Sequence, residues 1–130
     1  MPSHKILRKF KYHHPEIFGD DAIVYKSSGN WLIVLKKSTR TKTNEKRNGI
    51  VNAKNAKYRA NRLRVLKIIN KCDPKITTTN IHSSWDLKTL YQINRITYPD
   101  SFDTNLDNVC SSGIHYYKNF MNAYFYHIFP

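Results

Sequence analysis

Acidic residues are scarce in this chain: nine Asp and Glu stand against 22 Lys and Arg among 130 residues, a formal net charge of +13. Cysteine is scarcer still. Cys72 and Cys110 are the only two and form no Cys-x-x-Cys pair, which excludes a zinc ribbon and a thioredoxin motif and leaves two free thiols, as expected in a reducing compartment. No stretch approaches the roughly 18 apolar residues of a membrane span. The start, Met1-Pro2-Ser3-His4-Lys5, lacks the apolar core of a secretory signal. The expectation is an intracellular protein with no membrane partner.

What the chain does have is a core. Hydrophobic residues make up 40% and aromatics 13%, more than a disordered chain of this charge carries. A chain of this length buries roughly 65–70% of its unfolded surface and stands without staples. It is read as one domain, 1–130, with residues 1–15 as a basic N-terminal arm.

From Lys5 to Lys11, Ile6 and Phe10 lie between bases, a pattern that fits a basic arm or a short edge strand. Pro15 ends it, because the residue before proline is pushed out of the helical region. His13 and His14 would point to opposite faces of an extended chain and so cannot share one metal ion. Next, Ala22–Lys26 and Trp31–Leu35 flank a Ser27-Ser28-Gly29-Asn30 turn, the pattern of a β-hairpin. Five consecutive apolar residues make the second run a central strand covered on both faces, with Trp31 in the core.

The charge is unevenly placed. Thirteen Lys and Arg fall between Lys36 and Lys71 against Glu45 alone. Residues 36–57 are polar and nearly free of large apolar groups, so they are expected to form a long basic surface loop. Ala56–Ile69 is ambiguous: alanine and arginine favour helix in its first half, while Arg62-Leu63-Arg64-Val65 alternates and Ile68-Ile69 is β-branched. A strand over Leu63–Ile69 is the reading adopted. Leu90–Asn94 alternates again, and Pro99-Asp100-Ser101-Phe102-Asp103 is a turn. Asp100, Asp103 and Asp107 lack the glycine and alternating oxygen ligands of a calcium loop. Phe120, Ala123, Tyr124 and His127 have the spacing of a short terminal helix. The fold class is α+β: a small, mainly antiparallel sheet with a short C-terminal helix and a long basic loop.

Chemistry is concentrated in Val109-Cys110-Ser111-Ser112-Gly113-Ile114-His115-Tyr116-Tyr117. Gly113 suits a tight turn and Ile114–Tyr117 a short strand. Together with Ala56-Lys57-Tyr58-Arg59-Ala60, Arg64–Ile68, Leu90-Tyr91, Pro99–Asp103 and Ala123, this stretch resembles an uncharacterised family of giant DNA viruses related to mimivirus. In that family a Cys-x-x-Gly-Ile-His followed by two aromatics closes a small domain. The resemblance covers roughly residues 20–127 and implies a viral protein of the host cytoplasm or virion. It brings no catalytic residues with it.

Three functions fit the residues. A basic module would bind nucleic acid or another polyanion through Lys36, Lys37, Arg40, Lys42, Lys46, Arg47, Lys54, Lys57, Arg59, Arg62 and Arg64, since phosphate contacts dominate such affinity without reading sequence. A structural, virion-associated protein would use the same bases on acidic viral chains. An enzyme would need the Cys110 thiolate activated by His115, in a pocket that Cys110, Gly113, His115 and Tyr116 mark out. No third group orients that pair, so no catalytic residue is assigned. Cys72, His82, Cys110 and His115 carry suitable atoms for zinc but no ligand spacing, so no metal or cofactor is expected.

Overall fold

A computed structural model describes residues 3–53, 55–83 and 89–126. In chain order it contains helix α1 (Ser3–His13), a 3-10 turn (Pro15–Ile17), strands β1 (Ile23–Ser28), β2 (Trp31–Lys36), β3 (Lys57–Ala60), β4 (Leu63–Asn70), β5 (Thr77–Thr78), β6 (Asn80–His82), β7 (Leu90–Gln92), β8 (Ile96–Thr97) and β9 (Ile114–Tyr117), and helix α2 (Phe120–Phe125). Seven strands form one antiparallel sheet in the order β3-β9-β1-β2-β4-β5, with β8 beside β4, and β6 and β7 pair separately.

The hairpin forms as its sequence demands. β1 and β2 pair from Ile23–Lys36 to Ser28–Trp31, and Gly29 alone in the two-residue turn takes a positive φ, 57°, as the first central position of a type II′ turn requires. β2 lies between β1 and β4, and Leu32, Ile33, Val34 and Leu35 are all fully buried. Burying each such side chain contributes roughly 1.5–3 kcal/mol. Trp31, expected in the core, is only partly buried at its edge, because it closes the turn.

Period-two alternation divides the core into two layers. Ile33 and Leu35 join Val24, Tyr58, Ala60, Val65, Ile114 and Tyr116 on one face, with Tyr91 of β7 packed over them. Leu32 and Val34 face Ile6, Phe10, Ile17, Tyr25, Phe120 and Ala123 on the other. β4 keeps this division despite an irregular spacing. Val34 pairs with Lys67 and Leu35 with Val65, leaving Leu66 as the extra residue of a bulge. The bulge shifts the alternation by one position, so Leu63, Val65 and Ile68 share a face.

Within the expected arm, Ser3–His13 is a helix rather than an extended or edge-strand segment. Ile6 and Phe10, four residues apart, lie one above the other on the face that meets the sheet, and both are buried. Phe10 packs against Phe120 in a tilted arrangement, ring centroids 4.9 Å apart, and meets Tyr124 edge-on at 5.9 Å. His14 follows the helix as a buried structural residue, its Nε2–H donating to Pro74 O at 2.6 Å while Nδ1 accepts from Lys67 at 3.0 Å. At the other end, Asn119 caps α2 by accepting from the Met121 and Asn122 amides. His127, expected on this helix, lies outside the described residues.

Lys71, just after β4, is 6% exposed, and its Nζ has no hydrogen-bond partner among the described residues. It sits 5.8 Å from the Tyr124 ring centroid. Burial pushes its pKa down to about 8. Because the folded value lies below the unfolded one, the unfolded chain binds the proton more tightly, and stability rises with pH from about 8 towards 10.5. Lys71→Met is therefore expected to stabilise the protein at neutral pH by on the order of 2 kcal/mol, an advantage that shrinks by about pH 9.5. Urea unfolding of both proteins at the two pH values measures this, and an advantage independent of pH would contradict it.

Candidate functional site

β3 and β9 carry most of the chemistry, and their alternation sorts it. Lys57 pairs with Tyr117 and Arg59 with His115, so these four side chains share one face of the ladder. Tyr58, Ala60, Ile114 and Tyr116 occupy the other, within the core. The grouping of Tyr116 with Cys110, Gly113 and His115 is divided accordingly. Tyr116 donates its hydroxyl to Glu45 Oε2 at 2.5 Å, on the face away from His115.

Arg59 organises the loop above it. The side chain is fully buried, and its guanidinium donates to four backbone carbonyls: Asn108 at 2.8 Å, Asp103 at 2.5 Å, Asn105 at 2.5 Å and Ser112 at 3.1 Å. The Phe102 ring lies 5.0 Å from its Cζ. The planar five-donor fork suits this cage as an ammonium would not. Asp103 tightens the same loop by accepting from Asn108 at 2.8 Å, Ser111 at 2.6 Å and the Asn105 amide at 2.9 Å. These bonds, with a smaller contribution from the Arg59 charge, hold its carboxyl down at about 2. Gly113 closes the loop at φ 145°, where a Cβ would lie 3.2 Å from Arg59 Cβ and from the Phe102 ring. No side chain fits there without displacing one of them.

Beneath this loop lies a cavity of about 570 Å³. β1 and β9 pair only at Tyr25–Tyr117, and beyond that point Lys26 spans the gap between the strands, donating Nζ to His115 O at 2.9 Å. Lys26, Lys57, Cys110, Gly113, His115 and Tyr117 all line the space. His115 Nε2–H donates to Ser111 O at 2.8 Å, which leaves Nδ1 as a bare acceptor, buried and without a partner among the described residues. Burial first, then the charges of Lys57, Lys26 and Arg59, hold His115 below the ordinary imidazole range, against the Ser111 bond that favours its protonation. Cys110 is exposed. It lines the same cavity, but the bond of His115 Nε2 goes to Ser111 O rather than to the thiol.

The basic segment is less free than its composition suggests. Residues 37–56 link β2 to β3, and Lys42–Asn44 run along the open edge of β3. Thr43 bridges Ala60, and Asn44, itself buried, exchanges bonds with Arg59, donating its amide to Arg59 O at 3.2 Å and accepting the Arg59 amide at 2.9 Å. Glu45 receives Lys37 at 2.8 Å and lies 3.5 Å from Lys118. Burial alone would raise its carboxyl, but the bonds from Lys37 and Tyr116 and the two lysine charges outweigh that and keep it low.

The bases named from sequence therefore scatter over different tasks. Arg59 is consumed internally. Lys36 pairs with Asp20 at 3.6 Å and Lys37 with Glu45. Arg47 donates to Lys57 O and lies over Tyr58, Arg62 lies over Tyr98, and Arg64 donates to Asn94 O. Lys54 lies outside the described residues. Arg40, Lys42 and Lys46 remain exposed, with no acidic partner among the described residues. Sequence reading missed Lys26 and Tyr126 in the cavity, and Asn44 and Glu45 as anchors. Glu45 did carry a signal as the lone acid in a run of bases.

Among the described residues no three His, Cys, Asp or Glu side chains come together to hold a metal ion, and no helix is long and apolar enough to cross a membrane. Comparison with curated proteins and with solved structures returns no match. One family model does match, over residues 10–123, a span that takes in the nine strands, the Arg59 cage and the cavity lining up to Tyr117. The chain belongs to that family, a family of unknown function (DUF5758).

Proposed function

We propose that this chain is a non-enzymatic module that binds nucleic acid, or another polyanion of the same charge density, through phosphate contacts. The observation that supports the reading is the state of the acids around the basic segment. Its one carboxylate, Glu45, is engaged by Lys37, Tyr116 and Lys118, so it neutralises none of the charge on Arg40, Lys42 and Lys46. Three uncompensated cations within seven residues, beside the ordered edge of β3, present a fixed positive strip at which bound counterions are exchanged for phosphates. Lysines also guard sheet edges against pairing with another chain, a role these residues would fill with no ligand at all. The viral source, and a place in host cytoplasm or virion, rest on the resemblance of the Cys110–Tyr117 stretch.

The test compares two triple variants of equal charge. Arg40, Lys42 and Lys46 are changed to alanine in one, and the exposed Lys11, Lys75 and Arg95 in the other. With fluorescein-labelled single- and double-stranded DNA at low salt, the first variant is expected to lose at least tenfold in affinity and the second less than threefold. Equal losses would reduce the effect to net charge and contradict a located site. Wild-type failure to bind either nucleic acid, with retention of an acidic protein chain, would favour the virion-associated reading instead.

A further inference from the structure

The cavity between β1, β9 and the Arg59-held loop is separate from the exposed cations and combines features that neither a solvated turn nor a packing void needs. We propose that it is a binding site for a nucleoside monophosphate unit, a ligand with one phosphate and one planar ring. Its volume, about 570 Å³, falls within the few hundred to about 1,000 Å³ of small-ligand sites. Cations of two strands converge there: Lys26 from β1 and Lys57 from β3 both line it, and both charges act on His115. Asp100 is the one carboxylate among its described lining residues. The phosphate belongs beside the Lys26 and Lys57 ammonium groups; the Ser111 hydroxyl, already donated to Asp103, takes no part.

The ring belongs next to the phosphate, on the two tyrosines. Tyr117 and Tyr126 both line the cavity with centroids 5.8 Å apart, and Lys57 Nζ lies 5.6 Å from the Tyr126 ring, so cation and aromatic surface form one continuous wall. A planar base stacks on tyrosine whatever its sequence identity, as in single-strand binding proteins. His115 adds the polar element. Its tautomer is fixed by Ser111, and Nδ1 is buried without a partner among the described residues, so a small turn of the ring that opened it to the cavity would let it accept from a base N–H or a ribose hydroxyl. Inorganic phosphate alone would leave both the rings and this acceptor unused.

The experiment titrates the full chain with AMP and UMP, and in parallel with inorganic phosphate and adenosine, by calorimetry. The mononucleotides are expected to bind at least tenfold more tightly than either fragment. Lys57→Met and Tyr126→Leu should each weaken AMP at least tenfold while melting within a few degrees of wild type. The Arg40, Lys42 and Lys46 triple variant should bind AMP as wild type does, which separates this site from the polyanion strip. A dinucleotide with a 5′-phosphate, run beside AMP, distinguishes a free nucleotide from the end of a chain. No mononucleotide binding at millimolar concentration, phosphate binding as tightly as AMP, or unchanged AMP affinity in both Lys57→Met and Tyr126→Leu would overturn the proposal.

Discussion

Arg59→Ala is expected to destabilise the protein by about 3–5 kcal/mol, because it removes a buried cation that serves four carbonyls at once. Without the guanidinium, Ser112 O, Asn105 O and Asn108 O keep only neutral amide donors, from Asp103, Asn108 and Asn44, which are weaker than the charged bonds lost. A hydrophobic replacement of equal volume does not rescue them, since Arg59→Met still leaves the carbonyls of Asp103, Asn105, Asn108 and Ser112 without the guanidinium. Arg59→Lys should recover little, because one ammonium cannot reach a fork spread over four carbonyls. For a chain of this size the loss corresponds to a melting temperature lower by roughly 10–20 °C. Circular dichroism melting measures the global effect. Hydrogen exchange at the Asp103 amide, which bonds to Ser112 O across the loop, measures the local one. A loss below about 1 kcal/mol would show that the cage is rehydrated at no cost and is not what orders the loop.

Phe10→Ala should cost a comparable amount, about 3–5 kcal/mol, the range for removing a buried phenyl ring from a packed core. The ring is 1% exposed and meets Phe120 and Tyr124, so its removal opens a cavity walled by the C-terminal helix. Tyr12→Ala, two residues on at an 81% exposed position, should change stability by less than about 0.5 kcal/mol. Chemical denaturation of the pair measures the difference. Equal small effects would return the first fifteen residues to the status of a basic arm.

That contrast shows where the sequence speaks and where it is silent. The hairpin, β4, β9 and α2 are legible because their signals are local: a Gly29 turn, alternation through Leu63 and Val65, a Gly113 turn into Ile114–Tyr117, a cap at Asn119. α1 hides its period because Lys5, Arg8, Lys9 and Lys11 outnumber the two residues, Ile6 and Phe10, that bury themselves. Spacing of four was present, but two apolar positions in one helix fall short of a full stripe. The anchoring of residues 43–45 could not be read at all. It depends on Asn44 meeting Arg59 fifteen residues away and on Glu45 meeting Tyr116 at a separation of 71, and neither pairing has a local pattern that announces it. Arg59 was misjudged for a related reason. Charge is visible in a sequence, whereas the carbonyls that surround a charge are not.

The cavity was half legible. Cys110, Gly113 and His115 were grouped by proximity in the chain, and all three line it. Tyr116 was included by the same reasoning and excluded by strand alternation. Lys26 and Tyr126 arrive from distant parts of the chain, through the β1–β9 pairing and the return of the chain past α2.

The central claim is that a located strip of cations binds polyanions, and the most direct test is the salt dependence of nucleic-acid affinity. Plotting log affinity against log salt for wild type and for the Arg40, Lys42 and Lys46 triple variant gives two slopes. On duplex DNA the account expects the variant's slope to be shallower by about 0.9 for each lost phosphate contact, and so by nearly three units in all, with somewhat less on single strands. Two parallel lines, however far apart, would show that these three residues release no counterions and would contradict the account.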